Sequence, residues 1–491
     1  MVVFPVREQY SAIANGVVDV GTGRSTRTLE RDVLESTSNQ ALSFSTPYFY
    51  TGTTFAGLPE FVDCADRGET LFGACRDLAV CVIEGTTSAD IVREYLGGSV
   101  THTVNFDEEL FQNLKNGTCN VVSSLQLVIT EQAARDAGYS GDYAHAQRFN
   151  TRDPLAFVTR QNDPEFLDMI NWIFRSLVVA EARGITQSSS GEFPTTSLFG
   201  DRYTHLFRLA IAAVGNYGEM YDRSWEDNVA RENGINSLHI SSGDGGLLYA
   251  IPLGQTANEK PASQFGTTPN GTMAGIENRT ELHCGILTIG RPGMAEWNDT
   301  AGDWTGIDVD YCRGLASALF AGKVANSLVL LAYESLSDGF VALSSGKLDV
   351  LAGATYNIAN DVREPTTLEG FSFSDVYYYH EEWGDTNATV SALAMATRQD
   401  DPQWSDFVRA MIMSTIYAEA KNITQFEAVN MPLLELFGSS YRQSFRDILL
   451  SIGNYAEIYQ RNMELYVPRV NNLRNTLNEG RTPMMFANWQ Y

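Results

Sequence analysis

A long internal repeat constrains this chain more than any other feature of its sequence. Residues 160–223 return at 398–461 with a constant offset of 238 and no insertion or deletion. A match of this length does not arise from composition, so the chain contains a duplicated module. The landmarks that match between the two blocks are Asp163-Pro164 with Asp401-Pro402, Ile185-Thr186-Gln187 with Ile423-Thr424-Gln425, and Gly215-Asn216-Tyr217 with Gly453-Asn454-Tyr455.

The two copies of the module are unequal. Upstream of the repeated block, residues 346–350 match residues 16–20 with an offset of 330, so copy 2 lacks a net 92 residues that copy 1 has. Conversely, copy 1 has nothing that matches residues 282–325. The bounds that we predict are 1–253 for copy 1 with a second lobe at about 62–160, 254–278 for a Thr-, Pro- and Gly-rich linker, and 279–491 for copy 2.

Helical and strand patterns alternate along the chain. An apolar strand at 78–83 runs into Gly85-Thr86-Thr87 and then a helix, while residues 164–183 and 198–223 show the three- and four-residue apolar spacing of helices. This alternation predicts an α/β fold with largely parallel sheets. The free N–H groups at the start of the helix that follows Gly85-Thr86-Thr87 suit an anion.

Composition and motifs exclude several classes of function. The formal net charge of −26 argues against nucleic acid and anionic membrane surfaces as partners. No apolar run approaches the ~20 residues that span a bilayer. The sequence contains no nucleophile elbow, phosphate loop or Cys/His pairing, and its histidines are scattered. We therefore predict a protein that is not an enzyme and that has no cofactor or metal site.

Cysteines and glycosylation motifs indicate an oxidising compartment. The six cysteines form three local groups, Cys64 with Cys75, Cys81 with Cys119, and Cys284 with Cys312. Six Asn-x-Thr acceptors accompany them, at Asn116, Asn270, Asn278, Asn298, Asn387 and Asn422. These features favour a secreted eukaryotic glycoprotein over a bacterial periplasmic protein with chance motifs. The first residues lack the pattern of a signal peptide, so either a leader is missing or the natural start lies elsewhere.

Several segments resemble the extracellular solute-binding proteins of family 3, which serve polar and general amino-acid transporters. They include TRTLERD before FSTPYFYTG, VCVIEGTTS, NGTCNVVSS and VGNYGEMYDR, together with LHCGILTIG and GIDVDYCRG in copy 2. The resemblance covers most of the chain in family order. It implies a periplasmic-binding-protein type II fold, in which two α/β lobes close on a ligand. It also implies disulfides Cys81–Cys119 and Cys284–Cys312, which leaves Cys64 and Cys75 for the third.

The resemblance also implies a ligand site in copy 1. An arginine after a Thr-rich loop binds the α-carboxylate in this family, and a Gly-Thr-Thr helix start adds further donors. The matching residues are Thr26, Thr28, Arg31, Gly85, Thr86 and Thr87. Leu125 stands where the family has the aspartate that holds the ammonium group. Copy 2 has Asn360 and Asp361 where the arginine belongs, and it lacks most of a second lobe.

Two hypotheses about function follow. The first is a non-enzymatic structural or interaction component of an extracellular assembly, built from binding-protein folds that have lost their role in transport. The second is a receptor for an amino acid or carboxylate that uses the cleft of copy 1. The absence of a match to 282–325 leaves a sheet of copy 1 without its central strand. We therefore expect either a longer N-terminal chain or a filling segment, such as one from a second copy in a head-to-tail assembly.

Overall fold

The computed structural model of the chain describes residue 4 and residues 6–28, 31, 42–146, 153–225, 271–324, 326–362, 370–383, 388–434, 436–471 and 475. No helix in these ranges is long and apolar enough to span a membrane. The helices are α1 Val6–Ala14, α2 Pro59–Arg67, α3 Thr87–Leu96, α4 Asp107–Lys115, α5 Glu131–Asp136, α6 Pro164–Ala182, α7 Leu206–Val214, α8 Tyr217–Ser224, α9 Thr272–Arg279, α10 Ile307–Leu319, α11 Leu336–Ser344, α12 Ile358–Asp361, α13 Pro402–Ala420, α14 Ser444–Ile452 and α15 Tyr455–Asn462.

The strands of the described ranges alternate with these helices along most of the chain, which confirms the predicted α/β class. They are β1 Leu42–Phe44, β2 Phe49–Thr51, β3 Thr53–Gly57, β4 Val80–Ile83, β5 Thr101–Val104, β6 Val121–Leu125, β7 Ala144–His145, β8 Asp153–Leu155, β9 Val158–Arg160, β10 Leu282–Leu287, β11 Glu296–Asn298, β12 Asp303–Thr305, β13 Leu328–Tyr333, β14 Val350–Tyr356, β15 Phe371–Phe373, β16 Tyr378–Trp383 and β17 Ala388–Arg398.

The second lobe of copy 1 is built on a five-stranded sheet in the order β5-β4-β6-β3-β7. β4 pairs in parallel with β5 and β6, and β3 pairs antiparallel with β6. The sheet therefore begins at Thr53 and ends at His145, whereas β8 and β9 pair with strands outside it. The predicted bounds of about 62–160 are wrong at both ends, because the pairing of β3 with β6 is a long-range contact that local sequence does not reveal.

Two antiparallel strands, β2 and β8, connect the lobes of copy 1, with Phe49 opposite Leu155. The same positions in copy 2 place Tyr378 opposite Leu393. There the two strands continue outward as the hairpin β16–β17. Where copy 1 carries its second lobe, copy 2 thus carries only this hairpin.

The main sheet of copy 2 has the path β13-β10-β14-β17-β15, and β10 lies next to the edge strand β13, between two parallel neighbours. Helix α10 packs on it, and the disulfide Cys284–Cys312 joins β10 to α10. In copy 1 the described residues of the matching lobe (6–28, 31, 42–51 and 153–225, called its first lobe below) contain the strand pair β1–β9 and bridges from Gly21 to Val158 and from Thr26 to Leu155. Helix α1 packs on β9 with Tyr10 and Ile13 buried.

The C-terminal end of the predicted linker is helical. Residues 272–279 form α9, and its Met273 and Ile276 are buried in the core of copy 2. These apolar side chains, three positions apart, lie on the same face of the helix and anchor it. The prediction of a linker to residue 278 is therefore wrong from 272 onward, and residues 254–270 lie outside the described ranges.

One hydrophobic cluster of the described residues contains side chains of both copies. Trp172 and Phe174 of α6 pack in the same cluster of buried side chains as Leu348, Leu351 and Tyr356 of copy 2. Trp172 is fully buried, and its indole N–H donates a 2.8 Å hydrogen bond to the carboxylate of Asp361. Burial of aromatic surface on this scale holds the copies together as one unit.

Polar side chains at equivalent positions also join the copies reciprocally. Gln399 of copy 2 donates a 2.7 Å hydrogen bond to Asp168 of α6. Its counterpart Gln161 in copy 1 donates to Asp406 of α13, which is the counterpart of Asp168. The contact is therefore organised around an approximate two-fold axis, as in a symmetric dimer interface.

Asp308 is a buried carboxyl group in the first turn of α10. The hydroxyl of Tyr377 donates a hydrogen bond to it and accepts one from the backbone N–H of Gly353. Gly353 has a φ of +68°, and a Cβ atom at this position would clash with Asp308. Burial raises the pKa of Asp308 to about 7, although the hydrogen bond from Tyr377 and the charge of Arg291 lower it in part.

We expect Asp308 to make the protein less stable as the pH rises. Its folded pKa of about 7 exceeds the unfolded value of 3.8, so between these values the folded protein keeps a proton that the unfolded chain has released. Raising the pH from 4 to 8 then lowers the free energy of unfolding by up to a few kcal/mol, at about 1.4 kcal/mol per pKa unit. Urea denaturation at several pH values measures this slope.

The variant Asp308→Asn should flatten that slope, because the amide does not titrate and its carbonyl still accepts the hydrogen bond from Tyr377. The exposed carboxylate Asp299 supplies the matched control, and Asp299→Asn should keep the slope of the wild-type protein. Equal slopes in the wild-type protein and Asp308→Asn would contradict the assignment.

Candidate functional site

A cavity of about 50 Å³ lies between the first and second lobes of copy 1. Four of the residues that the sequence predicted for a ligand site line it, namely Thr26, Arg31, Thr86 and Thr87. Thr28 and Gly85, which were predicted with them, support neighbouring backbone instead of lining the cavity. The cavity is also bordered by Leu125 and by two charged residues that were not predicted, Arg24 and Asp107.

Arg31 is held at the cavity by its own loop. Its backbone N–H donates to the hydroxyl of Thr28, which is 1% exposed, and its Nη1 donates a 2.8 Å hydrogen bond to the carbonyl of Thr26. The guanidinium lies over the ring of Tyr10, with Cζ 4.8 Å from the ring centroid. A cation–π contact of this kind fixes the guanidinium plane. Thr28 therefore acts by positioning Arg31.

The opposite wall is the N-terminus of α3. Gly85 has a φ of +76°, a left-handed conformation that glycine adopts without strain, and it turns the chain after β4. Thr86 is the N-cap, because its hydroxyl accepts a 3.2 Å hydrogen bond from the N–H of Ala89 and donates to the carbonyl of Ile83. The positive end of the helix dipole faces the cavity beside Thr87.

The apolar side chain of Leu125 borders the cavity with 7% of its surface exposed. A different acid stands nearby. Asp107 belongs to the first turn of α4 in the second lobe, and its Oδ1 is buried without a hydrogen-bond partner among the described residues. Sequence reasoning missed Asp107, because acidic residues are common in the first turn of any helix.

Arg24 and Asp107 form an ion pair across the cleft. Nη2 of Arg24, in the first lobe, lies 2.5 Å from Oδ2 of Asp107, in the second lobe, and both side chains are more than a third exposed. A pair with this exposure contributes little to stability. The pair joins the two lobes of copy 1 at residues that line the cavity.

In copy 2 the position of Arg31 has become part of the contact between the copies. Asp361 occupies it and accepts hydrogen bonds from Trp172 at 2.8 Å and from the hydroxyl of Tyr356 at 3.3 Å. Asn360 donates to the carbonyl of Thr355. An acid engaged in this way cannot bind a carboxylate.

The predicted cysteine pairs are joined in the structure, as Cys64–Cys75, Cys81–Cys119 and Cys284–Cys312. Of the predicted glycosylation acceptors, Asn116, Asn278, Asn298 and Asn422 are exposed, while Asn270 and Asn387 lie outside the described residues. Within the described ranges, no group of three His, Cys, Asp or Glu side chains is arranged to hold a metal ion.

The cap at Thr86 yields a stability prediction with an internal control. Thr130 caps α5 in the same lobe in the same way, through a 3.1 Å hydrogen bond from the N–H of Ala133. Each of Thr86→Val and Thr130→Val should lower the free energy of unfolding by about 1 kcal/mol, the usual cost of losing an N-cap. Thermal and urea denaturation measure both. If Thr130→Val lowers the free energy of unfolding and Thr86→Val does not, the cap at Thr86 does not stabilise α3.

Parts of this chain are similar to known amino-acid-binding proteins. It is 28% identical over 268 residues to the glutamate/glutamine/aspartate/asparagine-binding protein BztA of Rhodobacter capsulatus, covering 50% of this chain and 75% of that protein. It is 35% identical over 133 residues to the general L-amino acid-binding periplasmic protein AapJ of Rhizobium johnstonii, covering 27% of this chain and 35% of AapJ.

A solved structure with a similar chain path is an ABC transporter periplasmic binding protein from Brucella ovis with glutathione bound. The TM-score is 0.41 at 22% sequence identity, and the match covers 51% of this chain and 82% of that chain. No family model matches the chain.

Proposed function

This chain is a homologue of the family 3 solute-binding proteins, as its sequence motifs predicted, and we propose that copy 1 is a receptor for a small amino acid. The observation that carries the proposal is that one cavity between two lobes is bordered by Arg31, by the N-terminus of α3 and by Asp107. A cation and helix N–H groups suit a carboxylate, and an acid suits an ammonium group.

In this proposal the ligand carboxylate lies between Arg31 and α3. The Nη1 of Arg31 is used by the carbonyl of Thr26, so the other edge of the guanidinium faces the ligand. Thr87 and the first N–H groups of α3 supply donors from the second lobe. Binding therefore draws contacts from both lobes and stabilises their closure.

The ammonium group of the ligand meets Asp107 rather than the position of Leu125. The buried Oδ1 of Asp107 has room to accept from an ammonium, while Oδ2 holds Arg24. An ammonium group buried beside leucine alone would lose its hydration and gain no ion pair or hydrogen bond in exchange. Asp107 supplies the opposite charge from a different element of the same lobe.

Copy 2 does not take part in this clamp. It carries the hairpin β16–β17 in place of a second lobe, and Asp361 in place of the arginine. We propose that the cleft of copy 1 binds one amino acid and that the protein catalyses no reaction, since the named relatives are binding proteins. An extracytoplasmic location, with glycans on the exposed acceptors, is supported by the three disulfides and by AapJ being periplasmic.

Isothermal titration of the full chain against the twenty amino acids tests the proposal. We expect at least one amino acid to bind in the cleft of copy 1, and Arg31→Ala to weaken that binding at least a hundredfold, because the carboxylate loses its charged partner. Arg183→Ala, which removes an exposed arginine at the end of α6, should leave binding unchanged. Failure of every amino acid to bind would overturn the proposal.

In the same titrations, the variant Asp107→Asn distinguishes binding of the ammonium group from binding of the carboxylate. The variant should weaken binding of the amino acid far more than binding of the carboxylic acid that has the same skeleton but no amine. Glutamate and glutarate are one such pair. Equal losses for both compounds would show that Asp107 acts only through its ion pair with Arg24.

A structural role is the second candidate, and one observation favours it. Copy 2 has given up its second lobe and uses the former site position to bind copy 1, so part of the chain already serves in assembly. The proposed extension is that the first lobe of copy 1, which lacks a match to 282–325, binds a segment of another chain. Sedimentation of the intact protein should then show concentration-dependent chains of subunits. A monomer at all concentrations would contradict this role.

A further inference from the structure

A second cavity, of about 210 Å³, lies between the two copies. It borders α6, α13 and the strands β1 and β15, and equivalent positions of the two copies face each other across it. Examples are Ser43 with Ser372, Gln161 with Gln399, and Asp168 with Asp406. The cavity is thus centred on the approximate two-fold axis and is separate from the cleft of copy 1.

Three buried polar atoms at this cavity have no hydrogen-bond partner among the described residues. They are Nε of Arg175, Oδ2 of Asp375 and Oε1 of Gln399. Gln399 is only 7% exposed, and its amide nitrogen is engaged with Asp168, which leaves the carbonyl oxygen for something else. Buried polar atoms are nearly always paired, so the set indicates an occupant with complementary groups.

The charges around the cavity are balanced. Nη1 of Arg27 lies 3.5 Å from Oδ1 of Asp375, and Nη1 of Arg409 lies 3.3 Å from Oδ1 of Asp406. Burial raises the pKa of Asp168 well above its usual value, an effect increased by the nearby charge of Asp361. The occupant therefore carries no large net charge.

The remaining charges are Arg175 and Asp361. Burial raises the pKa of Asp361 to about 6, and the hydrogen bond from Trp172 and the charge of Arg175 lower it in part. The guanidinium of Arg175 lies against the rings of Trp172 and Tyr356. This stacking fixes the direction of its free Nε–H.

Equivalent positions of the two copies line the cavity, but several of them carry residues of different charge. Arg175 of copy 1 corresponds to Met413 of copy 2, and Asp375 of copy 2 corresponds to Thr46 of copy 1. Arg175 and Asp375 are thus a cation from copy 1 and an anion from copy 2 that their counterparts lack, and Arg409 of copy 2, at the position of Asn171, is a further cation. Packing of a symmetric interface does not need such a pair, whereas a ligand with two different ends does.

We propose that this cavity is a second ligand site, and that it takes a small zwitterion whose carboxylate meets Arg175 and whose ammonium meets Asp375 and Gln399. The volume is more than ten times the ~10–15 Å³ that one water molecule requires, so a compound of several non-hydrogen atoms fits. Bound there, the zwitterion contacts both copies and strengthens their association.

The test uses the full chain with Arg31→Ala, so that the cleft of copy 1 does not contribute. Titration with glycine, β-alanine and 4-aminobutanoate should reveal one bound zwitterion per chain. The variants Arg175→Met and Asp375→Thr each introduce the residue found at the same position of the other copy. Each should weaken binding of the zwitterion at least tenfold. The second variant keeps the test valid if the first does not fold, which thermal melting determines.

The exposed Arg183→Ala provides the matched control and should bind as the parent does. Absence of binding by all three compounds, together with a crystal structure that shows only water in the cavity, would overturn the proposal. Binding that both cavity variants retain in full would also overturn it, because the zwitterion would then lie elsewhere.

Discussion

The packing of Trp172 against residues of copy 2 is the contact on which the rest of the architecture depends. It buries a large aromatic side chain of copy 1 in a cluster that includes residues of copy 2, and its indole N–H donates a hydrogen bond to Asp361. Copy 2 has no second lobe of its own to cover this face. The first lobe of copy 1 therefore acts as its cover, and the two copies form one folding unit with a shared core.

The loss of a lobe in copy 2 required little rearrangement. The strands that connect the lobes of copy 1 keep their register in copy 2, with Phe49–Leu155 replaced by Tyr378–Leu393. Joining these strands directly produces a hairpin, in which the backbone groups remain paired. A deletion at this point removes a whole sheet without cutting through the other lobe, which explains how two copies of one module came to differ by so much.

The loop around residues 24–31 of copy 1 borders both cavities. Arg24 and Arg31 face the cleft between the lobes, whereas Arg27 lies at the contact with copy 2, beside Asp375. Three arginines of one short stretch of backbone thus line two different cavities. The backbone N–H of Arg27 donates a hydrogen bond to the carbonyl of Pro154, and Nη1 of Arg31 donates one to the carbonyl of Thr26.

Much of this protein was determined by its sequence alone. The constant offset identified two copies, local patterns placed α6 and α13, and motifs located Arg31 and Thr86 because helix starts and arginine loops are short-range features. Tertiary structure decided what long-range contacts control: the true bounds of the second lobe, the closeness of Asp107 to Arg24, and the cavity between the copies. Those features depend on side chains far apart in sequence, and only packing of the two copies brings Arg175 and Asp375 to one place.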